Sequence, residues 1–133
     1  MPTIPLELHV AEKLHAYTRG YSDGTIQSTR VKDMVDLVLI AGHAPFQARM
    51  LRAALSGVFG GRILQPLPSS VPAPPRMWGV PYARMAREVG IDTDVHAGHA
   101  YIATFLDPVL AAESPTGRWD QVAQRWITEG EGD

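Results

Sequence analysis

The chain has no cysteine. That excludes a disulfide scaffold, a cysteine nucleophile and thiolate metal sites, and it fits a reducing cytoplasm. No apolar run approaches the ~20 residues needed to cross a bilayer. The first residues lack the basic and apolar regions of an export signal, so no membrane partner is expected. Neither sign of charge dominates: 12 Lys and Arg stand against 14 Asp and Glu, a net charge of −2. Composition therefore carries no signature of nucleic-acid or anionic-membrane binding. No segment repeats. The glycines Gly57, Gly60 and Gly61 in SGVFGGR match neither phosphate-loop pattern and read as a helix stop. No Ser/His/Asp arrangement can be argued from spacing.

What is present is a chain of 133 residues, 45% hydrophobic. That suits one helical domain with a buried core. We expect a mainly α fold of about five to six helices crossed by a proline-rich strap. Residues 1–60 would form a helical hairpin plus a third helix, 61–78 the strap, and 79–133 the C-terminal helices.

The organising stretch is Leu6 to Ile40. After extended Met1 to Pro5, the residues Leu6, Val10, Leu14 and Tyr17 recur at helical spacing, and the helix should stop at Gly20. Tyr21 to Gln27 reads as a polar loop with an Asp-Gly turn at Asp23 and Gly24. Ser28 or Thr29 can cap a second helix over about Arg30 to Ala41, ended by Gly42. Its apolar face is Val31, Met34, Val35, Val38 and Leu39. Pro45 opens a third helix through Phe59.

The run QPLPSSVPAPP cannot be helix or interior strand. It reads as a surface connector, or as a ligand for a proline-binding module. A short helix follows over Pro81 to Val89, closed by Gly90. Asp92 or Asp94 caps another, running to about Ala112, with a kink or break expected near Leu106 because of Pro108. Arg118 to Ile127 would be a last short helix or an irregular segment, with Trp119 and Trp126 on one side. Glu129 to Asp133 should fray.

Asp33 and Asp36 stand one helical turn apart, so their carboxylates are neighbours. They can ligate a cation, act as a base, or line a solvated face. An Asp beside the apolar run Leu37 to Ile40 needs a partner, and Lys13 on the preceding helix is the obvious one. Such a pair can be purely structural, or Lys13 can serve as a point charge for phosphate. Arg30 and Lys32 could add phosphate contacts or be ordinary surface charge. His96 and His99, at i and i+3, lack a third ligand, and no metal site is expected there. His9, His15 and His43 are isolated.

These residues resemble the AbiEii/AbiGii-type nucleotidyltransferase toxins, abortive-infection proteins of type IV toxin–antitoxin systems. Glu12, Lys13, Leu14 and Ala16 match an E-K-L-x-A segment. Arg30, Lys32, Asp33, Asp36 and Leu37 match R-x-K-D-x-x-D-L. The similarity continues through Trp78, PYARMAREVG, FLDPVL and GRWD, and it is to the C-terminal half of those toxins. The resemblance implies transfer of a nucleoside monophosphate from an NTP, with Mg2+, to an acceptor such as tRNA. Carried over, Lys13 would contact nucleotide phosphates, Asp33 would support catalysis and Asp36 would brace Lys13. Arg30 and Lys32 would bind substrate.

The family's Gly-Ser segment and sheet-borne D-x-D pair have no counterpart upstream of Pro2, so the metal ligands are not in this chain. Asp92-Thr93-Asp94 precedes a helix and reads as a cap. The expectation is a natural truncation, a mis-called start or one half of a split protein, inactive alone. Its partners would be a cognate antitoxin or the missing N-terminal half. Two alternatives are a non-enzymatic helical module that binds a toxin or antitoxin, and a metal protein using His96 and His99.

Overall fold

The computed structural model describes residues 5–23, 28–60, 67–112 and 114–128. The expectations for Met1 to Ile4, Gly24 to Gln27, Gly61 to Pro66 and Glu129 to Asp133 lie outside these. The fold is mainly α, as the periodicities predict. Helix α1 spans Leu6–Asp23, α2 Ser28–His43, α3 Ala48–Gly60, α4 Gly79–Val89 and α5 Val95–Ala111. Three short strands, β1 (Phe46–Gln47), β2 (Arg118–Asp120) and β3 (Arg125–Ile127), form an antiparallel sheet in that order.

Helix α1 starts where Pro5 fixes the backbone. The Pro5 carbonyl accepts from the Leu8 and His9 amides. The helix does not stop at Gly20 but continues to Asp23, since a single glycine costs a packed helix only about 1 kcal/mol. It buries Val10, Ala11, Leu14 and Tyr17. Helix α2 buries Val31, Met34, Leu37 and Ala41 and likewise passes its glycine, ending at His43. There the imidazole Nδ1 donates to the Leu39 carbonyl at 2.6 Å. Helices α2 and α3 pack on α1, and α2 also meets α4 and α5. The buried apolar side chains form one continuous cluster.

Pro45 does not open α3. Phe46 and Gln47 form a strand instead, and the helix begins at Ala48. The C-terminal tryptophans overturn a second expectation. Arg118 to Ile127 is a β-hairpin, not a helix. Asp120 makes the turn: its Oδ1 accepts from the Val122 and Ala123 amides, both at 2.9 Å. At Gly117, φ 113 would strain any other residue, and a Cβ there would crowd the Ile127 carbonyl oxygen at 3.0 Å. Strand register places Phe46 opposite Trp119, and Trp119 opposite Trp126. These rings close around Phe105 of α5. Trp119, fully buried, donates its indole N–H to the Ala41 carbonyl at 2.7 Å, and Trp126 donates to the Phe105 carbonyl at 2.9 Å.

Pro108 does not break α5, which continues to Ala111. Proline falls in its last turns, and Arg52 of α3 donates to the Val109 and Leu110 carbonyls at 3.1 and 2.8 Å. The described part of the strap is pinned at its middle. Val71 N–H donates to Asp107 Oδ1 at 2.8 Å, and its carbonyl accepts from His99 Nε2 at 3.0 Å. The Tyr17 hydroxyl donates to the Pro72 carbonyl at 2.5 Å. These bonds hold the segment against α1 and α5.

Helices α4 and α5 meet at Gly98. A Cβ there would collide with the Tyr82 hydroxyl and sit 2.7 Å from its ring. Gly98→Ala is therefore expected to destabilise by about 1–3 kcal/mol through overpacking. Gly57→Ala, with nothing within 4 Å of its Cβ, should stabilise α3 by about 0.5–1 kcal/mol. Urea denaturation of the two variants checks the opposite signs.

Candidate functional site

Lys13 lies on the face of α1 turned toward α2, one position before the buried Leu14. In α2 the buried stripe takes Val31, Met34 and Val35, which leaves Asp33 and Asp36 at the edge of the α1 contact. The hairpin brings the three together. Lys13 Nζ is 2.9 Å from Asp36 Oδ2 and 3.6 Å from Asp33 Oδ1. Arg30 Nη1 reaches Asp33 Oδ2 at 3.6 Å, and Lys32 Nζ reaches Asp36 Oδ2 at 2.9 Å. All five residues singled out from sequence thus form one cluster. Arg30 and Lys32 are not idle surface charge, since each closes an ion pair along its own helix.

Burial grades the cluster. Lys13, Asp33 and Asp36 side chains are 26%, 16% and 18% exposed, and Lys32 is 65% exposed. Burial pushes the Asp33 carboxyl above its ordinary 3.8, and Lys13 and Arg30 offset only part of that. Burial acts the same way on Asp36, but hydrogen bonds from Lys13 and Lys32 outweigh it and hold the carboxyl below 3.8. Burial opposes the charge on Lys13 too, yet the Asp36 hydrogen bond and the charges of Asp36 and Asp33 keep its pKa above the ordinary 10.5. The carboxyls diverge because Asp36 receives both its cations at 2.9 Å, whereas Asp33 meets both of its own only at 3.6 Å.

Chemically, this is an ammonium held by two acids, with an exposed lysine at its rim. An arriving anion would meet Lys32 first, the most exposed cation of the cluster. The donor set does not suit Mg2+. Each carboxylate already faces two cations, and a divalent ion would have to displace Lys13. Among the described residues no group of three or more His, Asp or Glu converges on a point. Asp92 and Asp94 are both consumed by the start of α5: Asp94 Oδ1 accepts from the His96 amide and Asp92 Oδ1 from the Asp94 amide, each at 2.9 Å. His99 Nε2 is engaged by the Val71 carbonyl, and among the described residues no third His, Asp or Glu joins His96 and His99. His15 is buried against the Phe59 ring, centroids 5.1 Å apart.

Sequence reasoning did not find the residues that steady this site from behind. Trp119 ties the hairpin to the end of α2, and Asp107 holds the strap. The only available signal was their place within GRWD and FLDPVL. A family model described as nucleotidyl transferase AbiEii toxin, type IV toxin–antitoxin system, matches residues 1–125. No curated protein and no solved structure matches the chain. No helix among the described residues is long and apolar enough to cross a membrane.

The two acids should respond differently to neutralisation. Asp36, with a lowered pKa in the fold, contributes stability that is present above 3.8 and is lost as pH falls below it. Asp33, with a raised pKa, has the opposite linkage: its charge opposes folding once pH exceeds 3.8. Asp36→Asn is therefore expected to cost about 1–2 kcal/mol at neutral pH. Asp33→Asn should cost less than Asp36→Asn or stabilise. Denaturation at pH 7 and pH 3 checks this, since the Asp36→Asn deficit should shrink in acid.

Proposed function

Because the chain belongs to the AbiEii nucleotidyl transferase toxin family of type IV toxin–antitoxin systems, we propose that it supplies the helical wall of a nucleotidyltransferase site. The transfer carries a nucleoside monophosphate from an NTP to an acceptor, with tRNA as the acceptor proposed. The observation that carries the reading is the Lys13 ammonium held between Asp36 and Asp33 across the α1–α2 hairpin. Phosphoryl transfer depends on positioning and on neutralising developing negative charge. A lysine fixed by two acids cannot wander, and it keeps its charge at any physiological pH.

Each residue then has a stated task. Lys13 contacts the nucleotide phosphates and Asp36 holds Lys13 in line. Asp33, the carboxyl with the raised pKa, is the one suited to exchange a proton with the acceptor hydroxyl. Lys32 is exposed enough to swing from Asp36 to an incoming phosphate, and Arg30 flanks it. Mg2+, which the family employs, would add charge neutralisation at the triphosphate. The carboxylates that hold it are not among Asp33, Asp36, Asp92 and Asp94, all of which are already engaged. On this reading they would come from a Gly-Ser and D-x-D segment like the one the family resemblance implies, and no transfer is expected without it. We place the protein in the cytoplasm, beside its cognate antitoxin.

One observation favours a second reading. The cluster is satisfied internally, each acid by two cations, which suits a purely structural brace in a non-catalytic module. Labelled-NTP incorporation into tRNA separates the two. In an assembly that includes the Gly-Ser and D-x-D segment, Lys13→Ala and Asp33→Ala should each lower incorporation by roughly 100-fold or more. The chain alone should incorporate nothing. Activity that survives both substitutions leaves only the brace.

A further inference from the structure

From Leu37 to Arg87 the chain carries six arginines and no carboxylate side chain. Three of them share one outward stripe. Residues 76–89 form a continuous helical run, a 3-10 turn at Arg76–Trp78 leading into α4. Trp78, Tyr82 and Ala86 are its buried side. Opposite them, Arg76, Val80, Arg84 and Arg87 follow at i, i+4, i+8 and i+11, with Met77 alongside. All three arginines are exposed. Met77 is 53% and Val80 71% exposed. None of the three arginines has a carboxylate at ion-pairing distance among the described residues. Glu88 borders the stripe and pairs with none of them.

We propose that this stripe docks a protein segment whose chemistry is acidic and apolar: carboxylates for Arg76, Arg84 and Arg87, and an aliphatic side chain for Met77 and Val80. Several features choose the occupant. An apolar centre with an arginine rim is the anatomy of a protein interface, where Met and Arg are enriched. A nucleic-acid track would present arginines with aromatic stacking platforms, and no aromatic side chain stands in the stripe. Two aliphatic side chains are too few to anchor a helix in lipid. The run from Arg76 to Arg87 extends about 16 Å at the helical rise, the reach of roughly three turns of a partner helix. Unpaired guanidinium groups are complementary to carboxylates, and such complementarity sets partner choice and association rate. The proposal stands apart from nucleotidyl transfer, because the stripe shares no residue with the Lys13 cluster.

The test uses the full chain and three labelled probes. The first is a synthetic amphipathic helix with Glu and Leu at matching spacing, the second the same helix with Lys for Glu, and the third a single-stranded uridine 20-mer. The Glu/Leu helix should bind and shift the amide resonances of residues 76–88. The double variant Arg84→Glu, Arg87→Glu should weaken that binding by on the order of tenfold or more and gain binding to the Lys helix. Val80→Ser should weaken it several-fold. All substituted side chains are exposed, so circular dichroism should be unchanged. Uridine 20-mer binding that is lost in the Arg84→Glu, Arg87→Glu variant, with no response to the Glu/Leu helix, overturns the proposal in favour of a nucleic-acid track. Silence from every probe overturns it in favour of a solvated face.

Discussion

A half-buried ammonium group sets the terms for the first half of this structure. Lys13 projects from an apolar helix face toward a second helix, where desolvation penalises it. Two carboxylates one turn apart on α2 meet that cost. The register of the hairpin follows from it: sliding α1 by one turn toward the C-terminus of α2 would set the ammonium beside Leu37 and Ile40 rather than beside Asp33 and Asp36. The pair therefore helps specify which way the two helices pack, beyond what it adds to stability.

The remainder of the fold keeps that hairpin in place from the far side. Trp119 grips the last turn of α2 through the Ala41 carbonyl. Arg52 closes the end of α5. Asp107 and His99 take both backbone groups of Val71, and Tyr17 takes the Pro72 carbonyl, so a segment with no secondary structure of its own is fixed at two adjacent residues. The motifs FLDPVL and GRWD thus act as fasteners, with their polar residues turned to backbone groups rather than to a substrate. The candidate chemistry stays on α1 and α2, and the outward stripe before and along α4 is free to serve another purpose.

The helices, and the meeting of Lys13 with Asp33 and Asp36, were legible because both rest on local periodicity. Apolar spacing in 6–17 and 31–41 orients each helix, and the charged positions follow from it. The sheet was not legible. Phe46 and Gln47 make only a two-residue strand, and Arg118 to Ile127 reads equally well as a short helix until Phe46 and Phe105 are known to lie beside it. Glycine misled at two helix ends. Gly20 and Gly42 look like stops, yet tertiary packing carries both helices past them. Pro108 misled for a different reason: it stands in the last turn of α5, where its missing N–H deprives only the Thr104 carbonyl of a helical donor. The roles of Arg30 and Lys32 were left open by sequence, because whether a surface cation pairs within its own helix depends on side-chain geometry.

The most direct measurement of the central claim is a double-mutant cycle at neutral pH. It compares Lys13→Met, Asp36→Asn and the two together, by chemical denaturation. If the ammonium and the carboxylate form the pairing on which the hairpin depends, the two changes couple by about 1–3 kcal/mol. Additivity within about 0.5 kcal/mol would contradict it, and would leave the α1–α2 register to apolar packing alone.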